Sequence, residues 1–411
     1  MLDINYIREN IDKIKEKSKA KNVDIDIDRI MALDASYREK LQEVQLLREE
    51  RNQVAKNRDI ERGKEIKVKL SSVEDEFTSI ENELNTLLLQ IPNPSKDDVK
   101  VGKNDSENDV IKTVGEPIKF DFKPKDHLEL GESLDIIDME RAVKVSGARF
   151  YYLKNEGALL EIALLRFALD KLMEKGFKFI IPPTIVNRDT MQKLGYMENG
   201  GEDDMFSLEN GEKFLVGTAE QSVVPMHRDE ILNSKDLPLR YVAYSSSFRR
   251  EAGSYGKDTR GIIRVHEFHK IEMVSFVMDG KDDEEHEFLL SIEEELFQDL
   301  KIPYQVVKMC TGDLGFPAAR KYDIEAWIPS QEKYREVTSA STTTDFQARR
   351  LNIKYQDGGV KKYVNILNGT AFAISRTPVA ILENYQQEDG SVVVPEVLRK
   401  YMGVETISPK G

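Results

Sequence analysis

Hydrophobic residues recur at alternating steps of four and three near the start of the chain. One series is Ile66, Leu70, Val73, Phe77, Ile80, Leu84, Leu87 and Ile91, a spacing typical of a coiled-coil seam. A less regular stripe precedes it, formed by Ile30, Leu33, Tyr37, Leu41, Val44, Leu47 and Val54. Two helices folded back on each other would bury both stripes. We therefore predict an antiparallel helical hairpin over residues 27–91, with arms of about 50 Å and a tip near Gly63.

The pattern changes at IPNPSKDD, where two prolines end the second helix. Residues 92–115 are polar and predict a linker. We assign residues 1–105 to a first region, which contains the arm and the linker. Helical periodicity returns over residues 158–175. Strand-like runs then follow at close spacing: FKFIIPPTIV, EKFLVGTAEQS, LRYVAYSSSFRRE, IIRVHEFHKIEMVSF, YQVVKMC, YDIEAWIP and YREVTSAS. This order predicts an α+β body over residues 116–411, built on an antiparallel rather than a doubly wound parallel sheet.

Two of these runs carry polar residues on one face, because side chains alternate along a strand. In the run that begins at Arg264, the shared polar face holds Arg264, His266, Phe268, Lys270 and Glu272, and the apolar face holds Val265, Ile271 and Met273. In the preceding run, one face holds Tyr241, Ala243, Ser245, Ser247, Arg249 and Glu251. The connection AGSYGKDTRG is polar and rich in glycine, so we predict a strand, a long loop and a strand.

This hairpin would let Arg249 and Arg264 contact one polyanion, with the flat ring of Phe268 nearby. Guanidinium groups match phosphate oxygens, and an aromatic ring stacks on a base. The chain contains neither GxxxxGK[ST] nor GxGxxG after a strand, so side chains rather than a glycine loop must contact the phosphates. A solvated loop is the alternative for a charged run, but the spacing favours a nucleoside triphosphate site.

Composition limits the remaining possibilities. The 411 residues, 40% of them hydrophobic, can form two or three domains with a substantial core. The single cysteine, Cys310, excludes a disulfide framework, fits a reducing compartment and is expected to be buried. No run is apolar enough to span a bilayer, and MLDINYIRENIDKIKEK is too charged for a targeting peptide. We therefore expect a soluble, cytoplasmic protein without a membrane partner.

A net charge of −14 argues against a general nucleic-acid binder. Near the arm tip, however, basic residues outnumber acidic ones. The basic set is Arg48, Arg51, Lys56, Arg58, Arg62, Lys64, Lys67 and Lys69, and the acidic set is Glu49, Glu50, Asp59, Glu61 and Glu65. A solvated coiled-coil surface explains this excess, and local RNA binding is the alternative.

Five segments of the chain together resemble the bacterial seryl-tRNA synthetases, a class II aminoacyl-tRNA synthetase family. FRREAGSYGKDTRGIIRVHEFHK is similar to motif 2 of the family, FKFIIPPTIV to motif 1 and NGTAFAISRTPVAILENYQ to motif 3, while GTAEQSVVPMH and YREVTSASTTTDFQARR are similar to further signatures. The resemblance extends from the arm to about Gly403. It implies a class II fold, ATP-dependent ligation of L-serine to tRNA(Ser), with tRNA(Sec) as a further candidate, and a homodimer through motif 1.

The resemblance also implies residue roles. Arg249 and Arg376 would be catalytic. ATP would be bound by Arg249, Arg250, Glu251, Arg264, Val265, Phe268, Glu336, Val337, Thr338, Ser339 and Arg376. Serine would be bound by Thr218, Ala219, Glu220, Arg249, Glu272, Asn368 and Thr370. Magnesium would bind with ATP at Glu336 and Ser339. The arm would contact tRNA through Arg51, Arg58, Arg62 and Lys64.

Some of these residues have simpler explanations. Asn368 and Gly369 alone would predict a hairpin turn. His266 and His269 invite a metal site, but residues three apart on a strand point to opposite faces, so we expect no zinc. A binding protein with an inactive synthetase body would show losses among Arg249, Glu251, Glu336 and Arg376, and all four are present. A ligase that charges a carrier protein would lack the long arm.

The chain departs from the family pattern in motif 3. The family commonly has NGSALAVGRT, whereas this chain has NGTAFAISRT. Thr370 keeps a hydroxyl but adds a methyl group beside the expected serine pocket, and Ser375 replaces a glycine next to Arg376. Ala340 and the run Thr342 to Thr344 also differ from common family usage. These differences are expected to change the fit of the serine pocket.

Overall fold

The computed structural model describes residues 2–198, 200–252 and 260–410. The chain divides into two compact units, Met1–Pro94 and Ser95–Gly411. The predicted long loop AGSYGKDTRG falls largely at residues 253–259, which lie outside the described residues.

The helices of the first unit are α1 (Ile4–Glu9), α2 (Ile11–Ala20), α3 (Ile27–Asn57) and α4 (Ile60–Leu89). Those of the second are α5 (His127–Ser133), α6 (Met139–Ser146), α7 (Asn155–Glu174), α8 (Arg188–Leu194), α9 (Glu220–Val223), α10 (Asp282–Asp299), α11 (Phe346–Leu351), α12 (Thr377–Asn384) and α13 (Glu396–Met402). The periodicity over residues 158–175 thus corresponds to α7, whose predicted helical character is confirmed.

The strands of the second unit are β1 (Asp109–Val114), β2 (Ile137–Asp138), β3 (Tyr152–Leu153), β4 (Lys178–Ile180), β5 (Ile185–Asn187), β6 (Ser207–Leu208), β7 (Lys213–Leu215), β8 (Ile231–Asn233), β9 (Leu239–Phe248), β10 (Glu267–Val277), β11 (Tyr304–Lys308), β12 (Arg320–Ile328), β13 (Lys333–Thr342), β14 (Lys354–Asp357), β15 (Val360–Tyr363), β16 (Asn365–Ala373), β17 (Val392–Val393) and β18 (Thr406–Ile407).

The first unit contains the predicted helical hairpin. Helices α3 and α4 are 31 and 30 residues long, which matches the predicted arms. Their apolar stripes are buried between them, with Val44, Leu47, Leu70 and Val73 in one cluster and the rings of Tyr37 and Phe77 at 5.1 Å in the next layer. On the exposed surface of the hairpin, Arg48 of α3 forms an ion pair with Glu74 of α4 at 2.8 Å.

The tip of the hairpin lies at Arg58 and Asp59, and the predicted tip near Gly63 is wrong. Arg58 adopts a left-handed conformation with φ of 56°, which ends α3. The Asp59 carboxylate then accepts a hydrogen bond from the Arg62 backbone N–H and caps α4. The chain therefore reverses between the end of α3 at Arg58 and the cap of α4 at Asp59. Gly63 lies inside the first turn of α4.

The second unit is built on an eight-stranded sheet in the order β1-β11-β12-β13-β16-β10-β9-β4. All neighbouring pairs in it are antiparallel except β4 and β9. Helices α7 and α10 contribute Leu164, Phe167, Leu289 and Leu296 to its main core. The predicted α+β body with an antiparallel sheet is confirmed.

The boundary between the units differs from the predicted linker. The second unit begins at Ser95, and β1, within the predicted linker, pairs with β11. Upstream of it, Val99 packs against Val307 and Met309 in a small core cluster. Strand β1 is at the edge of the sheet and its central residues are exposed. Its polar composition therefore resembles that of a linker.

One local prediction needs correction, and one alternative is excluded. Strand β10 begins at Glu267 rather than Arg264, and the backbone N–H of His266, just before it, donates to the Arg149 carbonyl. Asn368 and Gly369 lie in the middle of β16, paired on both sides, so they do not form a turn. Cys310 is buried, as predicted. In the described part of the chain, every helix is too short or too polar to cross a bilayer.

Candidate active site

A cavity with about 440 Å³ of empty space, partly open to solvent, gathers many of the residues singled out in the sequence. Its lining includes Arg249, Glu251, Val265, Phe268, Glu336, Val337, Thr338, Ser339, Thr370 and Arg376, together with Ile263, Lys270, Ala373 and Ser375. These residues come from β10, β13, β16 and the segments next to β9 and α12. Segments far apart in the chain therefore form one polar site.

Arg249 and Phe268 form one wall of this cavity. The Arg249 guanidinium lies over the Phe268 ring, 5.4 Å from its centroid, and its Nε donates to the Gly217 carbonyl at 3.3 Å. The backbone N–H of Arg249 donates to the His266 carbonyl, and His266 Nδ1 donates to the Arg249 carbonyl at 3.0 Å. These bonds fix the end of β9 beside the start of β10. The cation and the ring are consequently held together at the cavity.

Arg376 and Glu336 form a charged part of the same lining. Arg376 precedes α12, and its Nη1 lies 3.0 Å from the Glu336 carboxylate and also donates to the Glu336 carbonyl. Burial opposes ionisation of Glu336, but Arg376, Lys321 and Arg249 together lower the pKa of this carboxyl well below its usual range. Glu336 is therefore an anion at neutral pH, and 41% of its side chain remains exposed.

A second polar group lies where β10 and β16 pair. Thr370 Oγ1 donates to Glu272 at 3.1 Å, and Lys270 lies 2.8 Å from the same carboxylate. All three residues are buried. Burial lowers the pKa of Lys270, while Glu272 opposes this shift. Sequence alternation correctly placed Lys270 beside Glu272 but gave it no role. A small polar substrate at this point would meet both a hydroxyl and a carboxylate.

Glu220 belongs to the same region and is held from both sides. Tyr196 donates its hydroxyl to one Glu220 oxygen at 2.7 Å, and the Gln347 amide donates to the other at 2.8 Å. Burial raises the pKa of Glu220. Sequence reasoning missed Tyr196 and Gln347, although Gln347 lies inside the quoted signature YREVTSASTTTDFQARR. These two residues orient the Glu220 carboxyl group, which the family resemblance predicts to bind the serine substrate.

Several predicted site residues lie outside the lining of the first cavity, as far as the described residues show. They are Arg250, Arg264, Thr218, Ala219, Glu220, Glu272 and Asn368. Arg264 pairs with Glu251 at 2.8 Å and lines a second cavity, which shares Ile263, Glu336 and Arg376 with the first. Arg249 and Arg264 thus line adjoining cavities, and their contact with one polyanion stays a prediction.

His266 and His269 contact different partners. His266 donates to the Arg249 carbonyl, whereas His269 lies 2.5 Å from the Glu161 carboxylate, which raises its pKa. Glu161 also accepts a hydrogen bond from the Tyr244 hydroxyl. Over residues 2–198, 200–252 and 260–410, no three His, Cys, Asp or Glu side chains are grouped to hold a metal ion.

Comparison with known proteins gives matches along the whole chain. The model for the class II tRNA synthetase core domain (G, H, P, S and T) matches residues 205–385, and the model for the seryl-tRNA synthetase N-terminal domain matches residues 1–94. The serine–tRNA ligase of Dictyoglomus turgidum is 43% identical, with 100% of both chains covered. The chain belongs to the seryl-tRNA synthetase family. The serine–tRNA ligase of Exiguobacterium sibiricum is 46% identical and covers 98% of each chain.

Solved seryl-tRNA synthetases share the whole fold. The enzyme from Pyrococcus horikoshii, crystallised in complex with ATP, aligns with a TM-score of 0.93 and 42% identity, covering 100% of both chains. The cytoplasmic serine–tRNA ligase from Naegleria fowleri, in complex with AMP, aligns with a TM-score of 0.90 and 33% identity, covering 100% of this chain and 99% of that one. The predicted class II synthetase fold with an N-terminal hairpin is confirmed.

Two of the departures from the common motif 3 of seryl-tRNA synthetases, Thr370 and Ser375, lie at the cavity and line it. The Thr370 hydroxyl keeps its hydrogen bond to Glu272, so the added methyl group does not remove this polar contact. Ser375 is buried next to Arg376. The Thr370 side chain thus keeps the polar contact that its hydroxyl provides.

Proposed function

We propose that the chain activates L-serine with ATP and transfers the seryl group to the 3′ end of tRNA(Ser), with tRNA(Sec) as a second candidate acceptor. The observation that supports this most directly is that one cavity is lined by Arg249, Phe268 and Arg376 and also by Thr370, whose hydroxyl pairs with the buried Glu272. We assign the part near the two arginines to ATP, as the ATP compartment, and the part near the Glu272–Thr370 pair to serine, as the serine compartment. ATP and a small hydroxylated amino acid would therefore bind as neighbours, as their reaction requires.

In this proposal the ATP compartment works by charge and stacking. Phe268 stacks on the adenine, and Glu251 accepts a hydrogen bond from it. Arg249 binds the α-phosphate, and Arg376 with Arg264 binds the remaining phosphates. Arg250, Val265, Val337 and Thr338 complete the compartment. Guanidinium groups stabilise charge that develops on the transferring phosphorus, so Arg249 and Arg376 are the catalytic residues.

Magnesium fits the same compartment. Mg²⁺ takes oxygen ligands and usually binds through one or two carboxylates together with substrate phosphates. Glu336, kept ionised by Arg376, and the Ser339 hydroxyl supply such oxygens at the cavity lining. Magnesium bound with ATP would neutralise charge on the departing pyrophosphate. Glu336 and Ser339 are the residues that we assign to it.

The serine compartment would use the residues around Glu272. We assign the serine hydroxyl to Glu272 and Thr370, and the rest of the amino acid to Thr218, Ala219, Glu220, Arg249 and Asn368. The serine carboxylate attacks the α-phosphorus in line, and a terminal ribose hydroxyl of tRNA then attacks the seryl adenylate. Alignment of the reacting groups supplies much of the rate, and no residue of the chain acts as a nucleophile.

Serine should drive exchange of pyrophosphate into ATP when Mg²⁺ is present, because formation of the adenylate is reversible. The measurement is incorporation of labelled pyrophosphate across a panel of amino acids, without tRNA. We expect serine to be the best substrate. An absence of serine-dependent exchange would favour a binding protein with an inactive body. Normal exchange without tRNA charging would favour a ligase that loads a carrier protein.

We further propose that the protein is a homodimer, since the motif 1 region carries exposed apolar residues. Phe179, Ile181 and Ile185 are exposed, Ile181 to 73%, and a second copy of the chain would bury them around a symmetry axis. Light scattering at micromolar concentration should give twice the chain mass. Ile181→Glu should shift the protein towards monomer, whereas the exposed Val360→Glu should not. An active wild-type monomer would contradict this assembly.

The helical arm is assigned to tRNA binding through Arg51, Arg58, Arg62 and Lys64, which are all exposed. Side chains of the arm form ion pairs around two of them. Arg62 contacts Glu50 and Glu65 at 2.7 and 2.9 Å, and Lys64 contacts Glu61 at 3.1 Å. Since tRNA, serine and ATP meet in translation, we place the enzyme in the cytoplasm.

A further inference from the structure

A fully buried carboxyl group lies behind the site, and the roles assigned above do not use it. Glu293 is on α10, with 0% of the residue exposed, among core residues such as Ile292 and Leu296. One oxygen, Oε2, accepts a hydrogen bond from the Thr338 hydroxyl at 2.9 Å. Its other oxygen, Oε1, is buried without a side-chain or backbone hydrogen bond of ordinary geometry. A buried carboxyl in an apolar core is costly, so its position calls for an explanation.

The second oxygen is aimed at the strand that carries the serine compartment. A side chain added at Gly369 would place its Cβ only 3.0 Å from Glu293 Oε1. The backbone N–H of Thr370, the next residue, also interacts with this carboxyl. The missing side chain at Gly369 therefore lets the carboxyl approach the backbone of β16. Glu293 contacts β13 on one side and β16 on the other.

These two strands separate at this point. The backbone pairing between β13 and β16 covers Ala340–Thr342 and Leu367–Gly369. Thr338 and Thr370 lie just past the last pair and both line the cavity. Thr338 belongs to the proposed ATP compartment, and Thr370 belongs to the proposed serine compartment. The Glu293 carboxyl thus lies where the compartments diverge.

We propose that Glu293 is a positioning residue that fixes the spacing between the ATP and serine compartments. The inference rests on the proposed function, because it concerns the alignment of those two substrates. In-line attack requires the serine carboxylate and the α-phosphorus at a defined separation. A carboxyl that bridges Thr338 and the β16 backbone would hold the two strands at that separation without touching either substrate.

The charge state of Glu293 supports this role. Burial raises its pKa well above the usual range; the Thr338 hydrogen bond opposes that shift, and Asp323 on β12 and Glu272 on β10 add to it. Burial therefore disfavours the charged form of this group. A neutral carboxyl can be replaced by an amide, since Gln can accept from the Thr370 N–H and donate to the Thr338 hydroxyl. Leucine has a similar size but cannot accept the hydrogen bond of the Thr338 hydroxyl.

Glu293→Leu should reduce kcat for serine-dependent pyrophosphate exchange by about tenfold to a hundredfold, with the KM values for serine and ATP changed less than about threefold. A nonhydrolysable seryl adenylate, in which a sulfamate replaces the phosphate, joins both substrate halves. The affinity of the protein for this analogue, measured by calorimetry, should fall by a similar factor. The analogue fills both compartments at once, so its affinity depends on the spacing between them. Glu293→Gln should restore kcat and analogue affinity to within about threefold of the wild type.

Two further variants separate positioning from stability. Leu296→Ala removes a buried side chain from the same helix and should lower the melting temperature while leaving kcat and analogue affinity near the wild type. Thr338→Val removes the donor from the other side of the contact and should reproduce the kcat loss of Glu293→Leu. This variant tests the contact if Glu293→Leu does not fold.

The outcomes distinguish the inference from the proposed function. A wild type without serine-dependent exchange contradicts both. With a normally active wild type, the positioning role is wrong if Glu293→Leu and Thr338→Val keep full kcat, or if Leu296→Ala lowers kcat as much as they do. It is also wrong if Glu293→Gln loses as much activity as Glu293→Leu, because an amide preserves both contacts.

Discussion

Alanine should support pyrophosphate exchange about 10⁴-fold less efficiently than serine, because a site built to bind a hydroxyl rejects the analogue that lacks it. The proposed serine compartment places the Thr370 hydroxyl and the Glu272 carboxylate 3.1 Å apart, with Lys270 against the same carboxylate. Glu272 and Thr370 are only 2% and 4% exposed. The methyl group of alanine would exclude water from these groups and could not replace the hydrogen bonds that water makes with them.

A matched pair of variants tests this origin of selectivity. Thr370→Val keeps the shape but removes the hydroxyl, so kcat/KM for serine should fall by about tenfold to a hundredfold while the value for alanine stays nearly constant. Thr370→Ser retains the hydroxyl and restores the residue that the family commonly has, so its discrimination should stay close to the wild type. Alanine within tenfold of serine in the wild-type protein would show that the pocket assignment is wrong.

Shortening the helical arm should abolish efficient tRNA charging and leave adenylate formation intact. Residues 42–75 can be replaced by a short glycine- and serine-rich turn between Leu41 and Glu76. This keeps the Tyr37–Phe77 ring contact and the Arg29–Glu83 pair at 2.7 Å. The variant loses all four assigned tRNA contacts. Charging at limiting tRNA should fall by about 10²- to 10³-fold, equivalent to about 3–4 kcal/mol of binding, while serine-dependent exchange stays near normal.

A surface variant separates charge from arm length. Arg51 and Arg58 are the better positions to reverse, because glutamate at Arg62 would lie beside Glu50 and Glu65 and disturb the arm itself. Arg51→Glu with Arg58→Glu should weaken tRNA binding and flatten its dependence on salt, since each lost phosphate contact removes counterion release. Lys361→Glu with Lys362→Glu, at exposed positions of β15, makes the same change in net charge. If both pairs charge tRNA equally well at low and moderate salt, the arm tip is only a solvated surface.

The sequence alone determined those features that depend on local periodicity and residue chemistry. The stripes at steps of three and four specified α3 and α4, because the helical repeat brings such residues to one face. Alternation along β10 placed Phe268, Lys270 and Glu272 together for the corresponding reason in strands. Local periodicity could not locate the hairpin tip, which depends on the capping bond of Asp59, or identify β1, whose exposed edge position makes its composition resemble a linker.

Only the tertiary structure decided which distant side chains meet. Gln347 is hydrogen-bonded to Glu220, 127 positions away in the sequence, and Thr370 is hydrogen-bonded to Glu272, 98 positions away. The contact of Glu293 with Thr338 depends on how α10 packs on the sheet. No local pattern carries this information, since a buried polar group is satisfied by whichever partner the fold brings within hydrogen-bonding distance. The sequence thus determined the elements and the chemical groups of this synthetase, and the packing of those elements decided which groups orient one another.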